Sequence, residues 1–474
     1  MGECDKGFTC SYMLLNQKND IAKRDFVDSR SKGREVRRRW LMFISIVVQK
    51  FLLFFANHWH AGSGIEFLVN LVSSNRNLGV LFLNMIKGRV VVPDKNSASF
   101  LSFTGNVDSE GVGACIKYGD ERYYAALSMM ASKASYENKP TSKLSSPKTG
   151  RYINLIRYNT LQIFLCMEFL GSYDYWNDFQ GKATTHAFML YDKSDTIVVS
   201  FSGTVAFDAD AWSSDFDLSW CEIDGMGKIH GGFMKVLGLL KVKGWPKHID
   251  KQSNNRPAPL AYYVIREKLR EHLSKNVREK FIVTGHSLGG ALAILFAAIL
   301  ALHEETELLE RFEGVYTFGQ PRVGDEKFVE FMKKKIKENL KEHNVRYFRL
   351  VYSNDMVPRL PYDDSDLMFK HFGSCIYHNL HYEAKVVQEQ PNKNYFSPLN
   401  AIPMMINAFL ELIRSFTIVY KMGPDYKEGC FLKVFRVIGL VMPGVSAHST
   451  QDYVNATRLG SSDGFLPTQL GEIP

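Results

Sequence analysis

No two cysteines in this chain stand in Cys-x-x-Cys spacing. The seven it has, at 4, 10, 115, 166, 221, 375 and 430, are odd in number and scattered over 474 residues. That excludes a small secreted disulfide framework and a cysteine-built zinc site. It points instead to a reducing, cytosol-facing setting. Long blocks of one charge are also missing, because 58 basic and 50 acidic residues alternate along the chain. A nucleic-acid partner is therefore not expected. There is no internal repeat and no apolar leader, since the first 39 residues are polar and charged. Gly2 invites myristoylation, but Lys6 occupies the place of the required serine or threonine. Spanning helices are scarce too. Residues 40–56 are intensely apolar but stop at 17 residues, with Gln49 and Lys50 inside, short of the ~20 that a bilayer needs.

What is present divides the chain. Residues 1–39 read as a disordered basic tail, with its cations gathered between Lys23 and Arg39. Residues 40–94 form an apolar, membrane-associating region whose helix at 40–56 suits an interface with Lys50 snorkelling. The stretch 65–86 is broken at 73–77 and reads as two short helices. Basic residues beside apolar ones suit an anionic membrane surface. Residues 95–182 mix helix and loop. From 183 to 460, strands (186–191, 196–201, 316–318, 345–352) alternate with helical patterns such as 258–274, which implies a mostly parallel sheet covered on both faces. An insertion at about 385–442 carries two apolar stretches, 401–420 and 431–442. Their charges (Glu411, Arg414, Lys433, Arg436) can be kept off one face, giving amphipathic helices with a lipid-facing side. Residues 461–474 are a tail.

The chemistry concentrates at Phe281-Ile-Val-Thr-Gly-His-Ser-Leu-Gly-Gly290. A β-branched run meets Gly285-His286-Ser287-Leu288-Gly289, and an Ala-rich helical pattern follows at once. Strand, sharp turn and helix are the setting of a nucleophile elbow, in which Ser287 is held strained and exposed at a helix N-terminus. The glycines are needed because side chains would collide in so tight a turn.

A serine hydroxyl needs a general base. In an α/β-hydrolase the order along the chain is serine, acid, histidine. Asp355, just past a strand and before Pro358, is the best-placed acid. Four histidines lie beyond it, His371, His378, His381 and His448. His448 follows the turn at Pro443-Gly444 and is the preferred base, while His378 and His381, in a mixed polar segment, read as structural or rim residues. An oxyanion hole requires two donors. The Leu288 amide supplies one, and Thr204, closing the strand-end run Ser200-Phe-Ser-Gly-Thr204, supplies the other. Trp212, Phe216 and Trp220 then recur every four residues among aspartates, as a lid helix would.

At this point the chain resembles the class 3 (fungal-type) lipase family, and within it the plant oil-body triacylglycerol lipases. The shared marks are Val199-Ser-Phe-Ser-Gly-Thr204, Trp212-Ser-Ser-Asp215, His230-Gly-Gly-Phe233, the elbow, Thr317-Phe-Gly-Gln-Pro-Arg-Val-Gly-Asp325, Ser353-Asn-Asp-Met-Val-Pro358 and His448-Ser-Thr-Gln-Asp-Tyr-Val-Asn455. The resemblance implies an α/β-hydrolase fold, with Ser287 as nucleophile, His448 as base, Asp355 as orienting acid, and Thr204 and Leu288 as oxyanion donors. It implies no metal or organic cofactor. The expected substrate is triacylglycerol, and diacylglycerol with it, at a lipid-droplet or membrane surface. Alternatives are a phospholipase A1 or galactolipase, or an inactive droplet coat or tether protein. Ser202 stands where the family usually has arginine, so that residue's ion pair is missing here.

Overall fold

The computed structural model describes residues 61–94, 118–137, 167–203, 219–239, 245–248, 258–339, 346–423 and 428–460, with short gaps at 179, 193–194, 364–367 and 396–399, together with Phe100, Ser102, Ile116, Tyr426 and Phe465. The calls made on residues 1–60, on Thr204, Trp212 and Phe216, and on most of the two tails lie outside the described residues. In chain order the main helices are α1 (Ala61–Ser74), α2 (Leu78–Ile86), α3 (Tyr123–Ala134), α4 (Ala261–Leu273), α5 (Leu288–Leu302), α6 (Glu326–Asn339), α7 (Ala401–Met422), α8 (Cys430–Val441) and α9 (Thr450–Leu459). The strands are β1 (Met167–Asn177), β2 (Lys182–Asp192), β3 (Thr196–Phe201), β4 (Trp220–Ile223), β5 (Gly227–His230), β6 (Lys280–His286), β7 (Phe312–Phe318), β8 (Arg346–Tyr352), β9 (Ser374–His378) and β10 (Ala384–Val387).

Eight strands make one sheet in the order β1-β2-β3-β6-β7-β8-β9-β10, and β4 pairs with β5 apart from it. The run from β3 to β9 is parallel throughout, flanked by the antiparallel partners β1–β2 and β10. This is the α/β-hydrolase fold. Strand alternation sorts side chains to two faces. Ile197, Val199, Phe201, Phe281 and Val283 pack with α4 and α5, while Val198, Ile282, Tyr316 and Phe318 pack with α3 and α9. α5 is buried along nearly its whole length, which explains a helix almost without polar residues. Parallel strands all end on one side of the sheet, so β6, β7 and β8 deliver their C-terminal loops to the same place.

Three features differ from the sequence reading. β1 occupies 167–177, within the stretch assigned to helix and loop. Its register shifts between Phe169 and Gly171 and again between Tyr175 and Asn177, which hides the period-two alternation of a strand. The polar segment around His378 is β9, whose Cys375, Ile376 and His378 are buried, and β10 ends only at Val387, so the insertion begins after it. Trp220 does not continue a helix. It opens β4, pairs with His230 and stacks on Phe369 with ring centroids 3.9 Å apart.

The insertion's helices are amphipathic in the inverted sense. Arg414 of α7 and Arg436 of α8 point inward and meet Glu428 and Asp452, and the buried Glu411 of α7 pairs with Arg436. Arg436 reaches Asp452 at 2.8 Å and Glu428 at 2.9 Å, and Arg414 reaches Asp452 at 2.9 Å. Desolvation offsets most of the attraction inside such a network, but removing one partner strands the others and costs about 3–5 kcal/mol. The ion pairs therefore fix orientation. They bolt α7 and α8 to α9 and expose the apolar sides of both helices.

Candidate active site

β6 ends in Gly285 and His286, and Ser287 follows at φ 58°, ψ −132° before α5 begins. A positive φ at a serine is strained and is held by its surroundings. The Ser287 amide donates to the Phe318 carbonyl at 2.9 Å. Both neighbouring glycines are sterically required. A Cβ on Gly285 would stand 2.1 Å from the Gly289 carbonyl carbon, and one on Gly289 would stand 2.2 Å from the Phe201 oxygen.

The hydroxyl of Ser287 lies 2.8 Å from Nε2 of His448, and Nδ1 of His448 lies 2.8 Å from Oδ2 of Asp355. A carboxylate only accepts, so Nδ1 carries the proton and Nε2 is left as the acceptor for the serine hydroxyl. Asp355 is fully buried just past β8. Its Oδ1 accepts from the Val357 amide at 2.9 Å, and its Oδ2 accepts also from the Tyr453 hydroxyl at 2.5 Å. The Arg359 guanidinium, buried beneath, donates to the carbonyls of Ser353, Asp355, Pro391 and Asn392 and braces the loop. His448 ends a short 3-10 turn, and Ser449 caps α9 by accepting from the Gln451 amide.

His286 is part of the same cluster. Its Nε2 lies 3.1 Å from the His448 carbonyl, so it donates there, and its Nδ1 accepts from Tyr136 at 2.8 Å. Burial, reinforced by the neighbouring His448 charge, pushes the His286 imidazole well below the usual histidine range. The His286 imidazole is therefore neutral in the folded chain. Leu288 opens α5, and its amide is among those that a helix's first turn leaves without an intrahelical acceptor. Gly203, the last described residue before Thr204, comes so near the elbow that a Cβ on it would lie 2.6 Å from the His286 oxygen. Ser202 is buried, and its hydroxyl donates to the Gly203 carbonyl.

The other histidines lie elsewhere. His371 donates to the Pro358 carbonyl, His381 is exposed in a turn, and His378 is buried in β9. Burial pushes His378 down to about 4. The unfolded chain therefore takes up that proton first, near pH 6.5, and stability is lost as pH falls below that value. By one pH unit lower the loss is about 1.4 kcal/mol. His378→Phe should shrink the drop in urea-unfolding free energy between about pH 7.5 and pH 5.5 by roughly that amount. An unchanged drop would show that His378 does not contribute.

Sequence reasoning did not single out Tyr453, Tyr136 or Gly319. Gly319, at φ 58°, leaves room for the pair, since a Cβ there would stand 2.8 Å from Asp355 Oδ2 and 2.9 Å from the His448 ring. The available signals were a glycine just past a strand end and a tyrosine one helical turn beyond Ser449.

The family profile described as Lipase (class 3) matches residues 198–365. A Nicotiana tabacum protein named triacylglycerol lipase OBL1 is 38% identical over 91% of this chain and 85% of its own length. Proteins of the same name from Arabidopsis thaliana and Ricinus communis are 37% and 35% identical, covering 91% and 89% of this chain and 87% and 86% of themselves.

Proposed function

The chain belongs to the class 3 lipase family, and we propose that Ser287, His448 and Asp355 carry out its hydrolysis of triacylglycerol acyl esters at a lipid-droplet or membrane surface facing the cytosol. The observation that carries this reading is the unbroken hydrogen-bond chain from hydroxyl to imidazole to carboxylate at the elbow. Ser287 attacks the ester carbonyl while Nε2 of His448 takes its proton. The imidazolium is stabilised by Asp355 and passes the proton to the departing glycerol oxygen. Water then enters by the same route and releases the fatty acid.

Charge develops on the carbonyl oxygen, beside the Leu288 amide, and Thr204 is the proposed second donor. Each such donor is worth ~3 kcal/mol of transition-state stabilisation. The lid role belongs to Trp212 and Phe216 in the segment after Thr204. The membrane-associating part is 40–94, where α2 exposes Leu78, Phe82, Met85 and Ile86. The catalytic domain is 183–460, with β1 added at its edge.

The purified chain should release fatty acid fastest from emulsified triolein, more slowly from diacylglycerol, and least from phosphatidylcholine. Faster release from phosphatidylcholine would move the assignment to a phospholipase. Release from none of the three would leave only the coat or tether reading.

A further inference from the structure

We propose that the outward side of the α7–α8 hairpin is the surface that docks on phospholipid-bounded lipid, and that the buried ion network holds this surface in fixed register with the catalytic groups. The proposal rests on the lipase reading and identifies which part of the chain meets the substrate's phase.

On α7, Ile406, Phe409, Ile413 and Phe416 follow one another at helical spacing and are exposed, and Val437 and Val441 continue the patch on α8. Phe409 is 55% and Val441 87% exposed, which is unusual for side chains of this kind. The polar residues that would ordinarily cover such a surface are on the other side. Arg414 and Arg436 are buried against Glu428 and Asp452, and Glu411 is buried against Arg436. The helices thus present hydrocarbon outward and charge inward, an arrangement matched to an apolar exterior.

The charge at the margin selects the occupant. Neither helix carries an acid other than the buried Glu411, while Lys421 is exposed at the end of α7. Lys433 lies with its ammonium 4.8 Å from the centre of the Phe416 ring. A second copy docked about a two-fold axis would bring the same patches, and the same lysines, together. A phospholipid surface sets phosphates against those lysines and acyl chains against the stripe.

α7 has the length and composition to cross a bilayer. Its inner stripe of Met404, Ala408, Glu411, Arg414, Ser415 and Ile418 is instead taken up by protein, so it lies along the surface.

Continuity with the site completes the case. The turn after α8 leads directly to His448, and its Gly444 carbonyl accepts from the Met356 amide, next to Asp355. Asp452, which binds both arginines, lies in the first turn of α9 beside Tyr453. Docking the hairpin therefore sets the height of the catalytic cluster above the lipid.

The test compares the full chain with Phe409→Glu/Ile413→Glu on triolein droplets coated with phosphatidylcholine and phosphatidylserine. The variant should float with droplets at least about tenfold less and lose emulsion turnover in parallel. Its hydrolysis of a water-soluble short-chain ester should be unchanged. Lys421→Glu/Lys433→Glu should weaken flotation on phosphatidylserine-containing droplets more than on pure phosphatidylcholine ones. Unchanged flotation and emulsion turnover in the first variant would overturn the proposal. So would a wild-type dimer, seen by light scattering, that the variant dissociates while still floating normally. Failure of the esterase reading would look different: no soluble-ester hydrolysis in either protein, with the flotation difference intact.

Discussion

Ser287→Ala is expected to lower triolein turnover by about 10⁴–10⁶-fold, leaving folding and droplet binding unchanged. A loss of about 10⁵ corresponds to roughly 7 kcal/mol of barrier, more than any binding contact in the site supplies. The variant loses the attacking oxygen and nothing structural. Alanine accepts the backbone conformation at this position no worse than serine does. The hydrogen bond that fixes the elbow comes from the residue 287 amide to the Phe318 carbonyl and survives the change. Fatty-acid release on emulsified triolein, with a thermal melt beside it, checks both halves. A variant that keeps more than about a hundredth of wild-type turnover would remove Ser287 from the mechanism.

Asp355→Asn should cost about 10⁴ in kcat with little change in KM. The physical reason lies in the donors around this carboxylate. Oδ2 accepts from both His448 and Tyr453, and Oδ1 accepts from the Val357 amide. An amide has only one acceptor oxygen. If its nitrogen replaces Oδ1, two N–H groups oppose each other at Val357. If it replaces Oδ2, it donates to Nδ1 of His448 and forces the proton onto Nε2, where it can no longer receive one from Ser287. Either orientation leaves a buried donor poorly paired, so a stability loss of about 1–3 kcal/mol accompanies the rate loss. Retained kcat in this variant would show that the carboxylate does not set the histidine tautomer.

Sequence periodicity locates the strands that are regular. β3 spans 196–201 as the β-branched run suggests, and β6 and α5 bracket the elbow where the glycines stand. β1 escapes because two irregularities break its alternation, and β9 escapes because its polar His378 is buried, in a strand that lies between β8 and β10. Hydropathy locates α7 and α8 but cannot say which face turns inward. That is decided by Glu428 and Asp452, carboxylates outside both helices that neutralise Arg414 and Arg436.

The three side chains at the elbow lie 161 and 93 residues apart along the chain and still meet at hydrogen-bond distance. Chain order suggests the partners; only the parallel sheet, which gathers the C-terminal ends of β6 and β8, brings them together. Tyr453 and His286 act on that meeting point from α9 and β6, through contacts with no local sequence pattern.

The most direct measurement is covalent capture. The purified chain is treated with a fluorophosphonate, digested, and the adduct mapped by mass spectrometry. Modification of Ser287 is predicted, with labelling abolished in Ser287→Ala and strongly slowed in a His448→Ala variant. An adduct on another serine, or equal labelling without His448, would contradict a nucleophile activated by that imidazole.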